Sequence, residues 1–168
     1  PADCLILAGD IGHYNTQNQE LLKQLKSIYN HVLLVTGNHD MYLVSNTQQK
    51  KYQYNSFNRL DEFHAICKSL NVTVLNGTST QIDGITIGGC PMWYNLPSES
   101  DITAWQHYMN DSRLIMNGYP IPTSPYSRST NPTFDTQAYY EQQLAHLKSL
   151  SDLDIFVSHV PPIILPDS

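Results

Sequence analysis

The pattern of apolar and polar positions predicts strands that alternate with helices. Short continuous apolar runs at 4–8, 31–36 and 154–158 are typical of strands that are buried on both faces. Between the first two runs, apolar residues recur every three or four positions, which predicts an amphipathic helix over 15–29. Strands and helices in this order predict a mixed α/β architecture that is built in layers.

A hairpin region follows in the middle of the chain. Short strands are predicted at 72–75, 80–82 and 85–88, where apolar residues are flanked by turn-forming residues. Asp83-Gly84 separates the last two strands and is a common sequence for a tight hairpin turn. The sheet region is therefore expected to include antiparallel pairing.

Helices and one long loop account for the remaining segments. A helix is predicted around 60–70, where apolar residues return at helical spacing, and another over 99–117. The polar segment 46–58 fits either a loop or a solvated helical turn. The prolines within 118–132 predict a surface loop, and Asn131-Pro132 is expected to open the helix that precedes the last strand.

Size and charge restrict the function. The chain has 168 residues, which predicts one domain, and no apolar run approaches the roughly 20 residues of a membrane helix. A formal net charge of −6 makes long nucleic acid an unfavourable partner. An anionic substrate stays possible, because a bound metal ion supplies positive charge. Three widely spaced cysteines argue against a disulfide framework and favour a cytoplasmic location, and the oligomeric state stays open.

Polar side chains of the metal-binding type follow each of the three apolar strands. Asp10 follows the first strand, the run 38–40 follows the second and His159 ends the third. Each has a structural alternative, since an aspartate after glycine is common in turns and a lone histidine is often only hydrogen-bonded. Ligands nevertheless gather at the carboxyl ends of strands in α/β sheets, and carboxylate, amide and imidazole donors suit Mn, Fe, Zn or Ni.

Several motifs resemble the calcineurin-like metallophosphoesterase superfamily. The motifs are Gly9-Asp10-Ile11-Gly12, Gly37-Asn38-His39-Asp40 and Val157-Ser158-His159. Two further segments, at 87–94 and 109–113, are similar to segments of small bacterial and phage members. The resemblance thus runs along nearly the whole chain and implies a layered β-sandwich of mixed sheets flanked by helices, in an αββα order.

The resemblance also implies a role for each matching residue. Asp10 would bridge two divalent metal ions, and Asn38 and His159 would be ligands of the second ion. His39 would stand beside the scissile phosphate as general acid, with Asp40 orienting its ring. In such a site the metal pair supplies a hydroxide that attacks the phosphate ester. The implied activity is metal-dependent hydrolysis of a phosphate mono- or diester.

Three features depart from the family pattern. An Asp-x-His block before Asp10 and a Gly-His-x-His block after His159 are both lacking, and Val160 stands where many relatives carry a second histidine. We therefore expect residues 1–168 to be an internal fragment of a single longer domain, incomplete at both ends. Two divalent ions are expected in the complete protein, and one or none in this chain.

The expected substrate is a small phosphate ester or a phosphorylated macromolecule, with no membrane partner. Two alternatives remain open, namely a non-catalytic scaffold that binds protein and a fragment that is inactive by itself. Candidate residues for the substrate cleft are His13, Tyr42, Trp93 and Arg113.

Overall fold

The fold is known from a computed structural model that describes residues 2–118 and 134–162. Its strands are β1 (Cys4–Ala8), β2 (His31–Val35), β3 (Thr73–Val74), β4 (Thr78–Ile82), β5 (Ile85–Gly89) and β6 (Ile155–Val157). Its helices are α1 (Asn15–Ile28), α2 (Asn46–Lys51), α3 (Ser56–Ser69), α4 (Glu99–Tyr108), α5 (Asp111–Leu114) and α6 (Thr136–Ser149), and a short 3-10 turn covers His39–Met41.

The strands form two three-stranded sheets. The first sheet is parallel, in the order β1-β2-β3, and pairs Ala8 with Val35. The second sheet has the order β4-β5-β6, with an antiparallel β4–β5 hairpin and a parallel β5–β6 pair. Because β1 and β2 run in register, they end side by side. The polar residues that follow both strands therefore leave the sheet at the same edge.

Strand β2 shows how the layers are stacked. Leu33 and Val35 point into an apolar cluster that also contains residues of β5 and β6, so this face of β2 meets the second sheet. Val32 and Leu34 point to the other side, where they join the larger core cluster that includes Leu22 of α1 and residues of α3. This alternation follows from the two-residue period of a strand. It confirms the predicted layered architecture of mixed sheets and helices.

The expected burial of the apolar strands is correct for β2 and wrong for β1 and β6. Ile6 in β1 is 36% exposed and Ile155 in β6 is 39% exposed. Both strands lie at the edge of their sheet in the described part of the chain, whereas β2 lies between two neighbours. An apolar run alone does not distinguish a central strand from an edge strand.

The hairpin turn is where the sequence placed it. Asp83 and Gly84 both have positive φ angles, of 51° and 82°, as a two-residue turn of type I′ requires. Between them they connect the antiparallel strands β4 and β5. The polar segment 46–58 resolves into α2 and the beginning of α3, of which α2 is capped by the Ser45 side chain accepting from the Gln48 N–H.

Two predicted helices have different bounds. The helix predicted over 99–117 is divided into α4 and α5, because Met109 is extended and the Ser112 hydroxyl donates to the carbonyl groups of Gln106 and Met109. The helix expected to open at Asn131-Pro132 begins at Thr136, where the Asp135 side chain accepts from the Ala138 N–H. Most of the proline-rich segment 118–132 lies outside the described residues. Within those residues, no helix has the length and apolar character that a membrane span needs.

Candidate metal centre and active site

Three side chains from separate strand ends converge on one point. The Nε2 atom of His159 lies 3.0 Å from Oδ1 of Asn38 and 3.5 Å from Oδ1 of Asp10. Asp10 follows β1, Asn38 follows β2 and His159 follows β6, so both sheets contribute. We call these three atoms the acceptor cluster. The structure thus brings together the three residues that follow the apolar strands in the sequence.

The hydrogen bonds around the acceptor cluster show which atoms carry lone pairs. His159 Nδ1 lies 2.7 Å from the carbonyl oxygen of Ala8, which can only accept, so the proton of the neutral imidazole sits on Nδ1. In this neutral form Nε2 presents a lone pair. Asn38 Nδ2 donates to Oδ1 of Asp111 at 2.7 Å and to the Tyr42 hydroxyl at 3.0 Å, which turns the amide oxygen towards His159. Three acceptors thus face one another.

Acceptors that face one another repel unless a cation lies between them. Neighbouring donors around a divalent ion with bonds of about 2.1 Å stand about 3 Å apart, close to the separations seen here. Imidazole, carboxylate and amide donors suit such an ion, and the His159 contact with Ala8 is the usual outer-shell support of a ligating histidine. The acceptor cluster therefore fits a divalent metal ion. Among the residues that the structure describes, no group of three His, Cys, Asp or Glu side chains could hold a metal ion. The acceptor cluster contains only two such side chains, and its third atom is the amide oxygen of Asn38.

Two glycines allow the strand ends to approach so closely. Gly9 has a φ of +90°, and a Cβ there would lie 2.6 Å from Nδ1 of His159. A Cβ at Gly37 would overlap Oδ1 of Asp10. Asp10 itself has a φ of 58°, in the left-handed region that aspartate tolerates better than most residues. The glycines of both motifs therefore allow the side chains of the acceptor cluster to pack closely.

The structure corrects the role expected for Asp40. Its carboxylate does not orient the His39 ring but accepts four backbone N–H groups. Oδ2 accepts from Asp10 at 3.0 Å and Gly37 at 2.8 Å, and Oδ1 accepts from Ile11 at 3.0 Å and Gly12 at 3.4 Å. Burial raises the pKa of Asp40 above its ordinary value. The backbone N–H groups and the charge of Arg59 act in the opposite direction but do not cancel the effect of burial. Asp40 thus joins the loop after β1 to the turn after β2.

Arg59 complements Asp40 and was missed from the sequence. Its guanidinium is fully buried and donates to the carbonyl groups of Gly12 at 2.6 Å, His39 at 2.8 Å and Tyr42 at 2.8 Å. Burial lowers the pKa of Arg59 and the charge of Asp40 raises it. Asp40 therefore satisfies the donors of the two loops and Arg59 their acceptors. The sequence did contain a sign that this arginine is buried, because it stands on the apolar face of α3, four positions before Phe63.

His39 lies beside the acceptor cluster without belonging to it. Its backbone N–H donates to Asp10 Oδ1 at 3.0 Å, while its ring turns to His13, with Nδ1 of His39 3.0 Å from Nε2 of His13. The ring also stacks on Tyr42, with the ring centroids 4.5 Å apart. The candidate His13 is therefore brought to the site, as a partner of His39. One imidazole donates a hydrogen bond to the other, and the ring of His39 is held by His13 and Tyr42.

Tyr42 and Asp111 form the support of Asn38. The Tyr42 hydroxyl donates to Asp111 Oδ1 at 2.7 Å, and both side chains are buried. Burial raises the pKa of Tyr42, and the hydrogen bond to Asp111 raises it further, so the hydroxyl stays protonated. The second oxygen of Asp111 is buried without a partner in the part of the chain that the structure describes. Tyr42, expected at the substrate cleft, instead supports the Asn38 side chain. The supporting role of Asp111 was not predicted, although the sequence had drawn attention to its segment.

The last two cleft candidates have different positions. Trp93 is buried and its Nε1 donates to Thr136 Oγ1 at 2.6 Å, while one face of the ring borders a large apolar cavity. Arg113 is half-buried on α5, and its guanidinium donates to the side chain of Asn110. The structure therefore brings Trp93 to a cavity wall, and the hydrogen bond of Arg113 is local to its own helix.

Known proteins resemble this chain in sequence and in fold. The family model described as calcineurin-like phosphoesterase matches residues 1–165. An uncharacterised protein, L509 of Acanthamoeba polyphaga mimivirus, is 26% identical over 113 residues, which is 66% of this chain and 38% of the viral protein. The crystal structure of a phosphopantetheinyl hydrolase from Mycobacterium tuberculosis superposes with a TM-score of 0.61 at 21% identity, over 96% of this chain and 59% of that one. The chain thus spans less than two thirds of the length of either relative.

Proposed function

Since the chain belongs to the calcineurin-like phosphoesterase family, we propose that it carries part of a metal-dependent active site for phosphate ester hydrolysis. One observation supports this most directly. The acceptor cluster directs three lone pairs at one another, because the protons of His159 and Asn38 are used by Ala8, Tyr42 and Asp111. A divalent cation satisfies such an arrangement, and proximity to His39 gives it an acid–base group.

Asp10, Asn38 and His159 would hold the ion, with Asp10 as the carboxylate that the family pattern assigns to two ions. When bound, divalent ions supply a nucleophilic hydroxide and offset the charge of the phosphate. In the overall reaction an oxygen from water bonds to phosphorus and the ester P–O bond breaks. His39 gives a proton to the leaving oxygen, so that an alcohol departs and phosphate or a phosphate monoester remains.

His13 has a defined part in that proton transfer. When His39 carries two protons, its Nδ1–H donates to Nε2 of His13, and the Nε2–H of His39 is left for the leaving oxygen. His13 therefore stabilises the acid form of His39. This is the function that the family pattern led us to expect of Asp40.

The substrate and location are proposed at a coarser level. A phosphate mono- or diester fits the proposed chemistry, and the acidic chain makes long nucleic acid a poor substrate. Cys4, Cys67 and Cys90 are free thiols, and burial raises the pKa of Cys67 to about 12, so that this thiol stays unreactive. Free thiols agree with the reducing cytoplasm as the proposed location.

Metal binding is tested by thermal unfolding of the chain with Mn²⁺. An ion at a hundredfold excess over its Kd stabilises the folded state by about 2.7 kcal/mol. For a chain of this size we expect a Tm increase of roughly 5–10 °C. His159→Gln removes one donor and is expected to abolish most of that increase.

The matched control is His107→Gln, at an exposed position on α4. This variant should keep the full Tm increase with Mn²⁺. In wild type the increase should disappear when EDTA removes the ion and return when Mn²⁺ is added again. An equal Tm increase in His159→Gln and wild type would contradict the proposed ligand set. Electron paramagnetic resonance of Mn²⁺ gives the Kd directly and does not depend on enzymatic activity.

Asp111 is proposed as a positioning residue that acts through Asn38. Asp111→Leu keeps a side chain of similar size but accepts no hydrogen bond, so the Asn38 amide loses one of the two partners that fix its orientation and keeps only the Tyr42 hydroxyl. We expect the Kd for Mn²⁺ to rise about 10- to 100-fold, the usual effect of losing an outer-shell partner. The Kd is measured by the same resonance titration.

Asp111→Asn is the conservative comparison for this prediction. Its amide oxygen still accepts from Asn38 and Tyr42, so it should restore most of the affinity lost in Asp111→Leu. Circular dichroism of both variants checks that they are folded. Unchanged Mn²⁺ affinity in a folded Asp111→Leu would show that Asn38 is oriented by other contacts.

A further inference from the structure

A large apolar cavity is lined by the chain that follows His159 and has no role in the chemistry proposed so far. Its volume is about 610 Å³, within the range of small-molecule sites. Residues of α4 and α6 form two of its walls, and the segments after β5 and β6 form the others. We call it the apolar pocket.

The apolar pocket has a buried floor and an exposed rim. Trp93 is 4% exposed and Trp105 is 7% exposed at the floor, whereas Tyr108 at the rim is 78% exposed. Aromatic and aliphatic side chains dominate the lining, and Asp101 is its one charged residue among those described. Such a surface favours an uncharged organic group and disfavours a second phosphate.

One wall of the apolar pocket follows the strand-end site directly along the chain. Val160 lines it and follows His159 directly, and the backbone N–H groups of both residues donate to the Pro91 carbonyl at 3.1 Å. Tyr94, also in the lining, is close enough to the site to sense two of its carboxylates. Burial and then the charges of Asp111 and Asp10 raise the pKa of Tyr94 to about 12. The Tyr94 hydroxyl therefore stays protonated in the wall of the pocket.

We propose that the apolar pocket binds the uncharged aromatic or aliphatic alcohol group of the phosphate ester whose phosphate lies at the acceptor cluster. This inference rests on the proposed function and adds the class of substrate to it. The ester bond would lie at the boundary of the two regions, near Tyr94 and His159. The alcohol released by hydrolysis would then leave through the exposed rim at Tyr108.

The chain provides its own reporters for this inference. It has two tryptophans, Trp93 and Trp105, and both line the apolar pocket. A nitroaromatic group that enters the pocket should therefore quench most of the tryptophan fluorescence. The probes are 4-nitrobenzylphosphonate, which is not hydrolysed, 4-nitrobenzyl alcohol, which has no phosphonate, and methylphosphonate as a competitor without an apolar group.

Both nitrobenzyl probes are expected to quench in the presence of Mn²⁺, the phosphonate with the lower Kd. The Kd of methylphosphonate, measured by competition, should be at least about tenfold higher than that of 4-nitrobenzylphosphonate, because methylphosphonate buries no ring. Ala104→Phe fills the pocket from an exposed position on α4 and should raise the Kd of both probes at least about tenfold. Thr103→Phe, its exposed neighbour outside the lining, should change neither Kd.

Three results would overturn the inference. The first is no quenching of wild type by either probe, and the second is equal quenching in wild type and Ala104→Phe. The third is quenching by the alcohol that the phosphonate does not improve with Mn²⁺, since the pocket would then be separate from the phosphate site. The Mn²⁺ effect on Tm is independent of the pocket, so failure of the proposed function is recognised separately.

Discussion

Replacing Asp40 by alanine is expected to lower the free energy of unfolding by about 3–5 kcal/mol, measured by urea denaturation without metal. The carboxylate accepts four backbone N–H groups, and each buried donor left without a partner costs about 1–3 kcal/mol. Water would satisfy some of them, because three of the four bonds are only partly buried. The loss would still be a large share of the 5–15 kcal/mol typical of a domain.

Two further substitutions make this prediction specific. Asp40→Asn keeps one oxygen that accepts but replaces the other by an amide donor, so an intermediate loss is expected. Asp61→Ala removes an exposed aspartate from α3 and should change the free energy of unfolding by less than about 0.5 kcal/mol. Equal stability of Asp40→Ala and Asp61→Ala would mean that Asp40 does not hold the two loops together.

The common position of the residues that follow β1 and β2 could be predicted, because a pair of parallel strands has few alternative registers. Parallel pairing of β1 with β2 places Asp10 and Asn38 at the same edge of one sheet, whichever helices connect the strands. His159 comes from the second sheet, and its placement required that β6 pair with β5 in the same direction. The apolar pattern by itself did not predict that pairing.

The supporting residues were not predictable in the same way. Asp40 stands in the motif, but its partners are backbone N–H groups, which every non-proline residue has and no sequence pattern marks. Arg59 and Asp111 lie far along the chain from the loops they hold, and their burial depends on how α3 and α5 pack. Partners of this kind follow from tertiary structure. The prediction that β1 is buried was wrong for a related reason. The exposure of a strand depends on its neighbours in the sheet and not on its composition.

His39→Ala is expected to lower the turnover of phosphate esters at least about 100-fold in the protein that carries this chain, while Mn²⁺ affinity stays within about twofold. The His39 ring pairs with His13 and is no part of the acceptor cluster. The backbone N–H of residue 39, which donates to Asp10, is kept in alanine. Metal ligands should therefore stay in place while the proton donor is lost. Turnover and Mn²⁺ titrations on the same preparation measure the two effects.

The dependence on the leaving group distinguishes a general acid from a structural residue. A nitrophenolate leaves without protonation, so His39→Ala should lose less turnover with nitrophenyl phosphate than with an alkyl phosphate, by about tenfold or more. His107→Ala, at an exposed position on α4, serves as the matched control and should leave both rates unchanged. An equal loss with both esters would assign His39 a positioning role. Unchanged turnover with both esters would remove His39 from the mechanism. Its hydrogen-bonded partner His13 would then be the next candidate for the acid.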